Sequence, residues 1–120
     1  MAQSYKELIA WRKAMDLVVE VYRVTRSFPG DELYGLTSQL RRAAVSVPSN
    51  IADGQARYSR REFCHFLTIA RGSLAEIETQ VRIAARLGYA SNETAHVLLA
   101  LTSELGRIVN RLIASTRSAA

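Results

Sequence analysis

Two Glu-x-x-His pairs, Glu62 with His65 and Glu93 with His96, are the residues of this 120-residue chain whose types and spacing could do chemistry. Projected inward from helices, such motifs ligate di-iron centres in four-helix bundles. Their positions argue against that use. Each pair falls in the first turn of a helix and the two helices run antiparallel, so about 25 residues at ~1.5 Å each put the pairs roughly 38 Å apart. Each glutamate has a simpler role: Glu62 can complete a capping box, and Glu93 sits near the positive end of a helix dipole. Adjacent Cys64 and His65 point about 100° apart on a helix, so neither activates the other. The glycines are scattered, with neither a P-loop nor a dinucleotide fingerprint after any strand. The expectation is a protein that is not an enzyme, with no catalytic residues, no metal and no cofactor.

Four helices must position whatever these residues do. Helix 1 is expected from about Tyr5 to Arg26, with Leu8, Trp11, Met15, Val18 and Tyr22 spaced three and four apart on its buried face. Phe28-Pro29-Gly30-Asp31 breaks it. Helix 2 begins between Asp31 and Leu36 and runs to Ala52, with Gly54 suited to a left-handed C-terminal cap and Gln55 to Tyr58 forming a polar loop. The apolar positions Leu36, Leu40, Ala44, Val47 and Ile51 keep helical spacing across Pro48, which predicts one kinked helix. Pro48 cannot donate to the Ala44 carbonyl, a cost of roughly 3 kcal/mol unless Ser46, Ser49 or Asn50 supply hydrogen bonds. The alternative is that Pro48 opens a short second helix, where its missing N–H does no harm.

Helix 3 opens at Ser59-Arg60-Arg61-Glu62, a capping-box spacing, and carries Phe63, Leu67, Ala70, Leu74, Ile77, Val81 and Ala84 in a four-three rhythm until Gly88. Helix 4 starts near Ser91 and buries Leu98, Leu101, Leu105, Ile108 and Leu112. Val97, Leu99 and Ala100 make its middle apolar nearly all round, which suits either a subunit interface or a central place in the core. Short connections force antiparallel neighbours, so the reading is all-α: an up-down-up-down four-helix bundle with a proline-kinked second helix, in a single domain over residues 1–120.

Composition narrows the partners. Lone Cys64 favours a reducing compartment, and with neither a signal segment nor a membrane-length apolar run the expected location is cytoplasmic, with no membrane partner. The formal charge is +5, and 14 of the 16 basic residues are Arg, whose planar fork suits phosphate and base faces; GC-rich codons give the same bias. Arg60, Arg71 and Arg82 repeat every eleven residues along helix 3, with Arg86 close by. Arg41, Arg42, Arg57, Arg60, Arg61 and Arg71 are the candidate phosphate contacts for RNA or DNA. A solvated face is the other reading, since Glu78 can pair with Arg82, Arg12 with Asp16 and Glu104 with Arg107 at ordinary helical spacing. Tyr58 could stack on a base or cover the bundle end.

At Phe28-Pro29, Glu32, Tyr34-Gly35-Leu36, Gln39 to Ala44, Asn50-Ile51-Ala52, Gly54, Phe63, Phe66-Leu67, Ala70 to Ser73 and Glu76, the chain resembles the bacterial four-helix-bundle proteins named for intervening sequences in 23S ribosomal RNA genes. The match runs from Trp11 to Tyr89, with Asp53 where that family usually has Glu and Ile77 where it usually has Leu. The resemblance implies a bundle that assembles as a homopentameric ring, and it brings no catalytic residues. A related branch, the accessory proteins of diversity-generating retroelements, has a similar pentameric bundle whose basic surface engages nucleic acid and a reverse transcriptase. By analogy, the partners implied are a second copy of the chain, RNA or DNA, and a reverse transcriptase or other protein. A homo-oligomeric scaffold for proteins, with Arg41 and Arg42 in intersubunit salt bridges, is the alternative.

Overall fold

The computed structural model describes residues 4–118. Its elements are α1 (Ile9–Thr25), α2 (Leu36–Ala56), α3 (Arg60–Arg86) and α4 (Asn92–Ser118), with single 3-10 turns at Tyr5–Glu7 and Gly30–Glu32 and no strand among the described residues. Helices adjacent in sequence pack on one another, α1 closes the square against α4, and the backbones of the diagonal pairs stay apart. Cross-helix contacts fix the antiparallel order: Ser46 meets Ser73 and Arg57 meets Glu62, so residue numbers rise on α2 as they fall on α3. At ~1.5 Å per residue the 27 residues of α3 run about 40 Å, which accounts for most of the 46 Å long axis.

The α3 stripe is the expected one: Leu67, Ala70, Leu74, Ile77, Val81 and Ala84 are buried, with Phe63 half-buried at its start. Ser59 is extended, and its hydroxyl accepts the Glu62 N–H at 3.2 Å. The Glu62 carboxylate lies 3.6 Å from Arg57 Nη1. At the far end Gly88 takes φ 79, the left-handed conformation that ends a helix with no Cβ penalty.

Helix α1 is shorter than expected, because Leu8 is extended and separates it from the 3-10 turn. It also buries a different face. Ala10, Ala14, Leu17, Val21 and Val24 point to the core, while Met15 is 41% and Tyr22 39% exposed and Leu8, Trp11 and Val18 are half-buried. Two apolar stripes run along this helix, about a third of a turn apart. The one containing two alanines wins the core, since small side chains let α1 approach its neighbours closely. On α4 the same small rotation puts Leu98, Thr102, Leu105, Val109 and Ile113 inside and leaves Leu101, Ile108 and Leu112 half-buried.

Helix α2 runs unbroken through Pro48, which is buried, so the two-helix alternative does not hold. One turn around it, Asn50 Nδ2 donates to the Ser46 carbonyl at 2.8 Å and to Ser46 Oγ at 2.9 Å, and Ser46 Oγ bonds Ser73 Oγ at 2.8 Å. Gly54 is not a cap. It lies inside α2, where an added Cβ would stand 2.7 Å from Phe66 Cβ, so its small size lets α2 and α3 close on each other. The left-handed residue at this end is Tyr58, with φ 54.

Candidate nucleic-acid interface

Three residues, 57–59, join α2 to α3 and build an arginine-rich corner. Arg57 folds back on the protein. Its Nε donates to Asp53 Oδ1 at 3.1 Å, its Nη1 stands 3.6 Å from Glu62 Oε1, and its guanidinium carbon lies 4.8 Å from the centre of the Phe66 ring. Tyr58 does not cover the bundle end. Its left-handed backbone carries the side chain away from the helices, and it is 79% exposed.

Arg60 and Arg61 follow in the first turn of α3, both exposed. The helix dipole is positive there, so each cation is unfavourable by about 0.3–1 kcal/mol in the absence of an anion. Antiparallel packing also brings the end of α4 against the start of α3, a contact that sequence reasoning missed. The Cys64 thiol, one turn beyond Arg60, is lowered below its ordinary range chiefly by the Thr116 hydroxyl and then by the Arg117 guanidinium, against the burial that raises it. Cys64 precedes Arg71 by seven residues, two helical turns, so Arg117 belongs to the same α4-facing flank as Arg71 and not to the side of α3 that holds Arg57. Arg57 engages both nearby carboxylates, Asp53 and Glu62.

The other candidates do not converge on that corner. Arg41 is half-buried on the α1–α2 seam, with Nε donating to Thr25 Oγ1 at 2.8 Å and its guanidinium carbon 4.6 Å from the centre of the Tyr22 ring. It lies sixteen residues before Arg57, about 24 Å along α2. Arg42 is exposed beside a groove between α2 and α3. Arg71 is exposed on the opposite flank of α3, where Nη1 donates to Asn110 Oδ1 of α4 at 3.3 Å. The six arginines thus occupy several faces of one protomer.

Among the surface pairs, Arg82 meets Glu78 at 3.2 Å as expected. The other two differ: Arg12 donates Nε to the Lys6 carbonyl at 3.0 Å, and Glu104 reaches across to Lys13 at 3.3 Å while Arg107 donates to Ser103 Oγ. A neighbouring helix or turn offered a nearer partner than the next turn of the same helix. Among the described residues no three His, Cys, Asp or Glu side chains gather closely enough to hold a metal ion, and no helix is long and apolar enough to cross a membrane.

Comparison with known proteins bears on this architecture. The family model described as 23S rRNA-intervening sequence protein matches residues 6–111. Among solved structures, a protein of unknown function from the S23 ribosomal protein family of Bacteroides thetaiotaomicron VPI-5482 aligns with a TM-score of 0.79 and 19% identity, over 88% of this chain and 98% of that one. At that identity the likeness establishes the fold alone. No curated protein matches the chain.

Proposed function

The chain belongs to the 23S rRNA-intervening sequence protein family, and from that premise we propose that it is a non-enzymatic, homo-oligomeric bundle that binds RNA or other nucleic acid through backbone electrostatics. The observation that carries this reading is the group of Arg57, Arg60 and Arg61 beside exposed Tyr58 at the α2–α3 joint. Two arginines at the positive end of a helix dipole raise the local potential further, and a phosphate chain lowers it. Tyr58 supplies a ring face for a base, whatever its sequence. Arg42 and Arg71 extend the basic surface along either flank of α3, and copies of the chain in a ring of five join these separate patches.

Assembly is supported by apolar surface that one protomer leaves open: Met15 and Val19 on α1, Val97 on α4. Fluorescence anisotropy of single-stranded and structured RNA across a salt series tests the function. Binding that weakens steeply with salt and depends little on sequence is expected, and no binding at low salt removes the reading. Arg41 is held within its own protomer by Thr25 and Tyr22, which makes it a weaker phosphate contact than the arginines of the α2–α3 joint. A protein scaffold is the reading left if RNA fails to bind, and a nuclease-resistant pull-down identifies it.

A further inference from the structure

The groove between α2 and α3 has a volume of about 320 Å3 and is lined by Gln39, Arg42, Ala43, Ser46, Glu76 and Gln80. Its character is polar, unlike a core crevice. Arg42 and Glu76, one from each helix, are exposed on it and form no ion pair among the described residues. Gln80 keeps a buried Oε1 with no hydrogen-bond partner, a group whose isolation costs about 1–3 kcal/mol. Ser46 is already held by Ser73 and Asn50 and forms a fixed floor.

A guanidinium, a carboxylate and two carboxamides are the groups that read base edges. We propose that this groove binds the edge of an unpaired guanine. Arg42 donates to O6 and N7, Glu76 accepts from N1–H and the 2-amino group, and the orphaned Gln80 oxygen gains a donor. Adenine fails on both sides, because its 6-amino group meets the guanidinium and its unprotonated N1 meets the carboxylate. The groove is open to solvent, which suits a base carried by a strand better than a small solute that needs enclosure. Arg42 lies fifteen residues from Arg57, about 22 Å along α2, so one strand can cross both.

This assignment rests on the nucleic-acid reading above, and the test separates the two. Anisotropy is measured with a uridine oligonucleotide carrying one central guanine or one central adenine, for the parent protein and for Glu76→Gln. In parallel, guanosine and adenosine 5′-monophosphate are titrated against the Gln39 and Gln80 side-chain amides by NMR. The parent is expected to prefer the guanine strand about tenfold, Glu76→Gln to bring the two strands within about twofold of each other, and guanosine monophosphate alone to move the Gln80 amide. A parent that binds both strands equally, or a variant that keeps the preference, overturns the guanine site while the nucleic-acid reading stands. Strands that do not bind while guanosine monophosphate still shifts Gln80 remove the nucleic-acid reading and leave the base site.

Discussion

The Tyr89 hydroxyl donates to Glu32 Oε2 at 2.9 Å while the other oxygen of the same carboxylate accepts the Leu36 N–H at 3.0 Å. One side chain thus ties the start of α2 to the α3–α4 turn. The Leu36 amide first, and the Tyr89 hydroxyl second, hold Glu32 below its ordinary range, and the same bond raises Tyr89 above the usual phenol range.

A depressed carboxylate contributes stability above its unfolded pKa and loses it as pH falls through the folded one; a raised phenol contributes below its unfolded pKa and loses it as pH rises through the folded one. Thermal stability should therefore fall below the ordinary glutamate range and again above the ordinary tyrosine range. In Glu32→Ala both declines should be shallower. A variant that follows the parent's pH profile at each end would show that this contact does not govern either limb.

Two of the three glycines inside helices, Gly54 and Gly72, have opposite surroundings. At Gly54 an added Cβ meets Phe66 Cβ at 2.7 Å and Phe63 Cδ1 at 3.2 Å, whereas at Gly72 nothing lies within 4 Å. Gly54→Ala should cost about 1–3 kcal/mol through overpacking. Gly72→Ala should gain roughly 0.5–1 kcal/mol from helix propensity. Urea unfolding of the two variants should give opposite signs, and equal signs would contradict the packing described here.

Arginines on the corner and on the seam should differ in binding at a similar cost in stability. Replacing Arg57, Arg60 and Arg61 with Ala removes two exposed ion pairs and the contact with Phe66, together about 1–2 kcal/mol, while three lost phosphate contacts should reduce the salt slope of single-strand binding by about 2. Arg41→Ala should cost a similar amount, about 1–2 kcal/mol through Thr25 and Tyr22, while the slope stays close to the parent's. Anisotropy beside chemical denaturation reads both quantities.

Val19 is 63% exposed on α1, in line with Met15 and Tyr22. Val19→Asp should shift the mass seen by light scattering toward a monomer with little change in helix content, because no core contact is lost. Pro48→Ala restores a donor to the Ala44 carbonyl. If α2 bends there, and the bend shapes the subunit contact, the mass should change in that variant too.

How far the sequence spoke depended on whether one signal or two occupied a segment. Helix α3 was legible from end to end, because Ser59, a single apolar stripe and Gly88 agree. Helix α1 misled, since its bulky stripe of Trp11, Met15 and Tyr22 competes with a stripe containing Ala10 and Ala14 that packs closer. Gly54 resembled a cap because a glycine's need for space and its freedom at positive φ leave the same letter. The corner was legible at Arg57, Arg60 and Arg61, where neighbours in sequence are neighbours in space. The meeting of Cys64 with the end of α4 was not, because it depends on the register of α3 against α4.

The three-residue joint at Arg57–Ser59 also bears on how the chain reaches its structure. Closing so short a loop loses little entropy, and the contacts it brings together are near in sequence, the condition under which small domains fold fastest. The α2–α3 hairpin is accordingly the natural nucleus, on which α1 and α4 condense from opposite sides. The corner that carries the arginines would then take shape in the earliest organised part of the molecule.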